Sequence, residues 1–132
     1  MRPDARRLCR LAALLLALAT LIGAVGAHAL RSRLDADHFQ LLQTALQYQF
    51  FHALGLLALA VLLDRLPSPA LSVAAWLLFA GVLLFSGSLY LLLAGAPRII
   101  GLLTPIGGLA LIGGWCTAAM AVGGRAVADR SR

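Results

Sequence analysis

The chain has 132 residues, 61% of them hydrophobic and only 12% charged, and its mean hydropathy is +0.92. That apolar share exceeds the ~45–50% of ordinary soluble domains, and the length leaves room for one domain. The net charge of +6 arises from eleven arginines and five aspartates, with no lysine or glutamate, and these lie at the ends and between apolar runs, where they set membrane orientation and offer no face for nucleic acid.

A basic segment, residues 1–10, opens the chain and is expected in the cytoplasm. Residues 11–123 then hold four apolar runs, 11–30, 41–63, 70–93 and 99–122, each near the ~20 residues a helix needs to cross hydrocarbon. Residues 124–132 form a tail. The connections are short, which makes successive helices antiparallel neighbours. Placing both termini in the cytoplasm puts eight arginines inside, against Arg31, Arg33 and Arg98 outside, as the positive-inside rule favours. The expected fold is all-α: a polytopic, left-handed, antiparallel four-helix transmembrane bundle, N-in and C-in.

The first run also resembles a secretory signal, with arginines, an apolar stretch and the triplet Ala27-His28-Ala29. Its apolar stretch is longer than the ~7–15 residues of a signal core, and Gly23 and Gly26 resemble helix-packing positions, so a retained helix is expected; Gly23 with Ala27 also stands at the four-residue spacing that lets helices pack closely. Asp37 with Gln40 fits a capping pattern, which predicts a second helix starting near His38. Leu66-Pro67-Ser68-Pro69 stops that helix. On the fourth run, Thr104-Pro105 reads either as N-cap and first helical residue or as a kink in a helix that starts at Ile99, so an irregularity is expected there. Ala110, Gly114 and Ala118 repeat the small-residue spacing.

Polar residues inside the runs gather in the expected outer half. Tyr48 and His52 are four apart, Gln49 and His52 three apart, and Ser86 and Tyr90 four apart, so each pair can share a helix face. Together with Gln47 and Ser88 they suggest a hydrogen-bonded layer that sets helix register, such interhelical bonds being worth about 0.6 kcal/mol on average. His28 and His52 invite a haem or metal reading, but at ~1.5 Å per residue His52 sits roughly 16 Å deep and His28 only a few Å. No cofactor or metal is expected. Ser86-Gly87-Ser88 with His52 is a weak hydrolase signal, since His52 counts nearer to the level of Gly81 than to either serine and a serine beside a glycine in a membrane helix commonly allows packing. No carboxylate lies in any span to carry a proton relay. Cys9 and Cys116 form neither a disulfide framework nor a zinc pair. No enzyme is expected.

Gly23-Ala24-Val25-Gly26-Ala27-His28-Ala29-Leu30, Gln47-Tyr48-Gln49-Phe50-Phe51-His52-Ala53-Leu54, Leu84-Phe85-Ser86-Gly87-Ser88-Leu89-Tyr90 and Thr104-Pro105-Ile106-Gly107-Gly108 resemble, in order, the signatures of domain-of-unknown-function family 423. This is the YgdD-like family, related to the eukaryotic transmembrane protein 256 group. The resemblance implies a small four-helix protein of the bacterial inner membrane, without signal cleavage, and supplies no activity. It brings His28 and Thr104 into the candidate polar layer, and Gly107 and Gly108 into the candidate packing set. The reading is therefore an interaction or accessory protein whose partners are the bilayer and either a membrane protein or further copies of itself. The alternative is an oligomeric permeation unit for small solutes or ions.

Overall fold

A computed structural model describes residues 1–30 and 32–130, with side chains described for 1–29 and 32–123. Arg31 and Arg132, and the side chains of Arg125 and Arg130, all counted above for orientation, lie outside that description. The described residues are helical almost throughout: α1 (Pro3–Val25), α2 (Ala36–Arg65), α3 (Pro69–Leu93) and α4 (Leu103–Arg130). All four are long and apolar enough to cross a membrane. The molecule is a multi-pass, antiparallel four-helix membrane protein.

Local chemistry explains where each helix begins. Pro3 occupies the first turn of α1, where its missing N–H is not needed, and Asp4 complements the helix dipole. Arg6, Arg7 and Arg10 therefore ride on the first turns of α1, so the helix starts eight residues before the apolar run does. The cap of α2 is Asp35, two residues before the expected Asp37. Its carboxylate accepts the His38 backbone N–H at 2.9 Å and meets the His38 ring Nδ1 at 2.8 Å, so the third position of the cap is held by histidine, whose ring contacts the capping carboxylate, and not by Gln40. These bonds hold the Asp35 carboxyl below its ordinary pKa of 3.8. Ser68 caps α3 ahead of Pro69. Gly95, at φ +88°, makes the left-handed turn that ends α3.

The fourth run combines features of both readings offered for it. A 3₁₀ turn, Arg98–Leu102, leads directly into α4 at Leu103. Pro105 then falls in the first α-helical turn, where it breaks no hydrogen bond. An irregularity not foreseen closes the other end of α1, where Gly26–Leu30 widen into a π turn. Gly26 lies against α2 there, and a Cβ on it would sit 2.8 Å from Leu42 Cδ2.

Packing runs in series. α1 lies along α2, α2 along α3 and α3 along α4, while α1 and α4 share no packed backbone face. The core joins Leu8, Ala12 and Leu15 of α1 to Leu56, Ala60 and Leu63 of α2, Ala74 and Leu78 of α3, and Leu111 and Ala118 of α4. At one end, the Arg2 backbone N–H donates to the Asp64 carboxylate at 2.6 Å and ties the start of α1 to the end of α2. The α3–α4 seam is the tightest. Ser88 meets Thr104, Phe85 meets Gly107, Gly81 meets Leu111 and Leu78 meets Gly114, at alternating steps of three and four residues on both helices. Gly107 lies so close to α3 that an added Cβ would fall 2.9 Å from the Leu84 carbonyl carbon, and one on Gly114 would fall 3.1 Å from the Ala74 oxygen. Gly107, Gly114 and Ala118 thus pack within the chain. Gly23 faces Leu46 across α1–α2, Gly108 touches the Phe85 ring more loosely, Ala110 is half-buried and Ala27 is exposed.

Candidate functional site: an interior polar layer and a lateral cleft

Polar residues grouped by sequence into one layer occupy two places. The first is interior. Gln49 is 2% exposed, and it donates Nε2–H to the Leu15 carbonyl of α1 at 2.7 Å while its Oε1 accepts the Tyr90 hydroxyl of α3 at 2.8 Å. One side chain therefore links three helices. Ser86 donates to the Ala45 carbonyl at 2.8 Å across α2–α3. Ser88 donates to the Phe85 carbonyl at 2.8 Å, which leaves Thr104 as the donor in the 2.7 Å Ser88–Thr104 contact across α3–α4. Each packed interface thus carries at least one hydrogen bond. Among the described residues no buried side-chain nitrogen or oxygen is left without a partner, as a low-dielectric interior demands. Both serine hydroxyls are engaged away from His52, so no serine–histidine pair forms.

Gln47, Tyr48 and His52 lie elsewhere. Successive residues of an α-helix turn by about 100°, so Gln47 points roughly opposite to Gln49. With Phe51 these three line one wall of a cleft of about 590 Å³, whose floor is Phe85 of α3 and whose far wall is Gly108, Leu111, Ile112 and Trp115 of α4. The cleft exists because α2 and α4 both pack near α3 without packing fully on each other. Gly55 makes room for the Trp115 side chain of α4, since a Cβ there would lie 2.5 Å from the Trp115 ring.

Aromatic faces line this cleft. Tyr48 stacks on Phe85 at 4.2 Å between centroids and 20° between planes, and on His52 at 5.5 Å and 19°. The His52 and Trp115 rings lie 6.3 Å apart, tilted at 51°. His52 Nδ1 contacts the Tyr48 carbonyl oxygen at 2.7 Å. A carbonyl only accepts, so Nδ1 carries a proton, and the tautomer this selects has its lone pair on Nε2. That Nε2, the Gln47 carboxamide, the Tyr48 hydroxyl and the Trp115 indole N–H make no hydrogen bond within the described residues. His52 stands near the middle of the 30-residue α2 and is half-buried, while Gln47, Tyr48 and Trp115 are exposed at the surface of the bundle.

His28 is apart from both groups, exposed in the π turn. Among the described residues no three His, Cys, Asp or Glu side chains gather as a metal site would require. Trp115, Gly55, Phe51 and Phe85 were not singled out from the sequence as site residues. The signals available were weak: Gly55 is the lone glycine of α2 and Trp115 the lone tryptophan of α4.

Residues 22–108 match the family described as Protein of unknown function (DUF423). The chain is similar to the UPF0382 membrane protein YwdK of Bacillus subtilis, 44% identical over 99 residues that cover 74% of this chain and 80% of the relative. It is also similar to a UPF0382 membrane protein of Staphylococcus saprophyticus, 45% identical over 93 residues, with 70% and 77% covered. The UPF0382 inner membrane protein YgdD of Escherichia coli K12 is 40% identical over 94 residues, with 71% and 72% covered. No solved structure matches.

Proposed function

Taking as premise that this chain belongs to the DUF423 family, we propose that it is a non-catalytic interaction protein of the inner membrane, which receives a hydrogen-bonding partner laterally from the bilayer into the α2–α4 cleft. The contrast between the two polar groups carries this reading. Inside the bundle every buried polar side-chain atom described is satisfied. In the cleft four polar groups are not, and lipid tails have nothing to offer them. An unsatisfied polar group away from water costs about 1–3 kcal/mol, so an occupant with complementary groups gains what lipid cannot give. The interior layer serves this role indirectly, by fixing the helix register that shapes the cleft.

Permeation draws less support. The interior polar groups bond to one another and to backbone carbonyls, so no buried side-chain nitrogen or oxygen described stands without a partner to line a path between α1, α2 and α3. The test is photocrosslinking in native membranes, with the reactive side chain placed at Phe51 or Ile112 in the cleft and at Leu14 or Leu83 on other exposed faces. A discrete adduct from the two cleft positions alone is expected. Equal labelling from all four positions, or no adduct from any, would defeat the reading.

A further inference from the structure

Resting on that reading, we infer that the cleft's occupant is a small lipid-soluble molecule whose head is a planar ring bearing oxygens that are hydroxyls in its reduced form and carbonyls in its oxidised form, with its tail in the bilayer. Size argues first. The cleft spans Gln47 to His52 on α2 and Gly108 to Trp115 on α4, roughly 8 and 11 Å at the helical rise per residue. A partner helix would need a groove along much of the ~30 Å hydrocarbon thickness. A volume of about 590 Å³ instead falls inside the ~300–1,000 Å³ of small-molecule sites.

Shape and chemistry agree with size. Four aromatic rings, Tyr48, Phe51, Phe85 and Trp115, belong to the cleft lining, with Tyr48 and Phe85 stacked on each other, and an aromatic lining of this kind suits an aromatic or quinonoid ring. The unpartnered groups are of both kinds. Trp115 N–H and the Gln47 amide offer donors to a ligand oxygen, whereas His52 Nε2 only accepts and asks the ligand for a hydroxyl. The reduced, hydroxyl-bearing form of such a ring therefore satisfies the cleft better than the oxidised, carbonyl-only form. Access needs no gate, because the cleft opens sideways at membrane depth, where such molecules already dissolve.

Tryptophan fluorescence tests this on the full chain in lipid nanodiscs. Trp76→Phe leaves Trp115 as the sole tryptophan, and Trp115→Phe leaves Trp76, which lies outside the cleft. Titration with a short-tailed benzoquinol, its quinone, and a ring-free alcohol of the same tail should give a saturable change at Trp115, one ring per chain, with the quinol about tenfold tighter than the quinone. Gln47→Leu and His52→Leu should each weaken quinol binding about tenfold, and His52→Leu should erase the preference for the reduced form. Both positions border lipid, so leucine suits the fold, and unchanged helicity and melting would confirm it. Equal, non-saturating responses at Trp76 and Trp115, or unaltered binding by both leucine variants, would overturn the inference. If the rings fail to bind while crosslinkers at Phe51 capture one protein-sized partner, this inference falls and the interaction reading stands. If both experiments are blank, both fall.

Discussion

Substituting Gly107 by alanine should separate α3 from α4, and its neighbour provides the control. A Cβ on Gly107 would fall 2.9 Å from both the Leu84 carbonyl carbon and the Phe85 Cα, and nearer still to the Phe85 nitrogen, whereas one on Gly108 would make ordinary contact with the Phe85 ring at 3.8 Å. Backbone cannot swing aside as a side-chain tip can, so the helix axes must part by about 1 Å to restore normal contact. That displacement would stretch the 2.7 Å Ser88–Thr104 hydrogen bond to about 3.7 Å, beyond useful range. Overpacking of this kind costs about 1–3 kcal/mol, and the lost bond adds about 0.6 kcal/mol. Against this, alanine for glycine in a helix returns up to about 1 kcal/mol in both variants. Gly107→Ala should therefore be destabilised by about 1–3 kcal/mol net and Gly108→Ala should be neutral or slightly stabilised. Reversible unfolding in mixed micelles, followed by far-ultraviolet circular dichroism, measures the difference. Equal stability of the two variants would refute the register of the α3–α4 seam.

Tyr90→Phe removes one arm of the Gln49 bridge and should cost about 0.6 kcal/mol, at most about 1.7, while Gln49→Leu removes both arms. A double-mutant cycle between the two should show coupling, and strict additivity would count against the three-helix link. Because the folded Asp35 carboxyl titrates below 3.8, its contribution is present above that value and lost as pH falls through its lower folded pKa. Amide exchange at His38 should then accelerate on acidification in the native protein but not in Asp35→Ala. Leu8, Ala12, Leu15 and Ala19 of α1 are buried against the rest of the chain, so intact mass of the membrane-extracted protein should retain α1. A product beginning near Leu30 would remove a quarter of the bundle and the acceptor for Gln49.

Which parts of this arrangement were legible in the sequence follows from the range of the interactions concerned. Span number and antiparallel order are written in runs of about 20 apolar residues and short connections, and both emerge from local composition. The helix start at Asp35 rests on the His38 backbone N–H and ring both meeting one carboxylate, and a histidine at the third position falls outside the glutamine or glutamate pattern of a capping box. Splitting the polar layer was partly readable, since Gln47 and Gln49 stand about 200° apart on any α-helix. What the periodicity of α2 could not say is which of the two faces α1 and α3. Trp115 and Gly55 illustrate the remaining difficulty. They are sixty positions apart in the numbering, and only the tertiary spacing of α2, α3 and α4 reveals that one makes room for the other.

The serial packing of the helices bears on how the chain enters the membrane. Each helix rests mainly on the one synthesised just before it, so no helix has to wait for a distant partner before it can be buried. When α2 leaves the translocation machinery carrying Gln49, its acceptor, the Leu15 carbonyl, is already in the bilayer. Tyr90 reaches the free oxygen of the same side chain one helix later, as Ser86 finds Ala45, and Thr104 closes on Ser88 last. The interior polar groups, which would be a liability in an isolated span, are thus matched in the order in which they appear, and the hydrogen bonds that hold the finished bundle follow the order in which its helices are made.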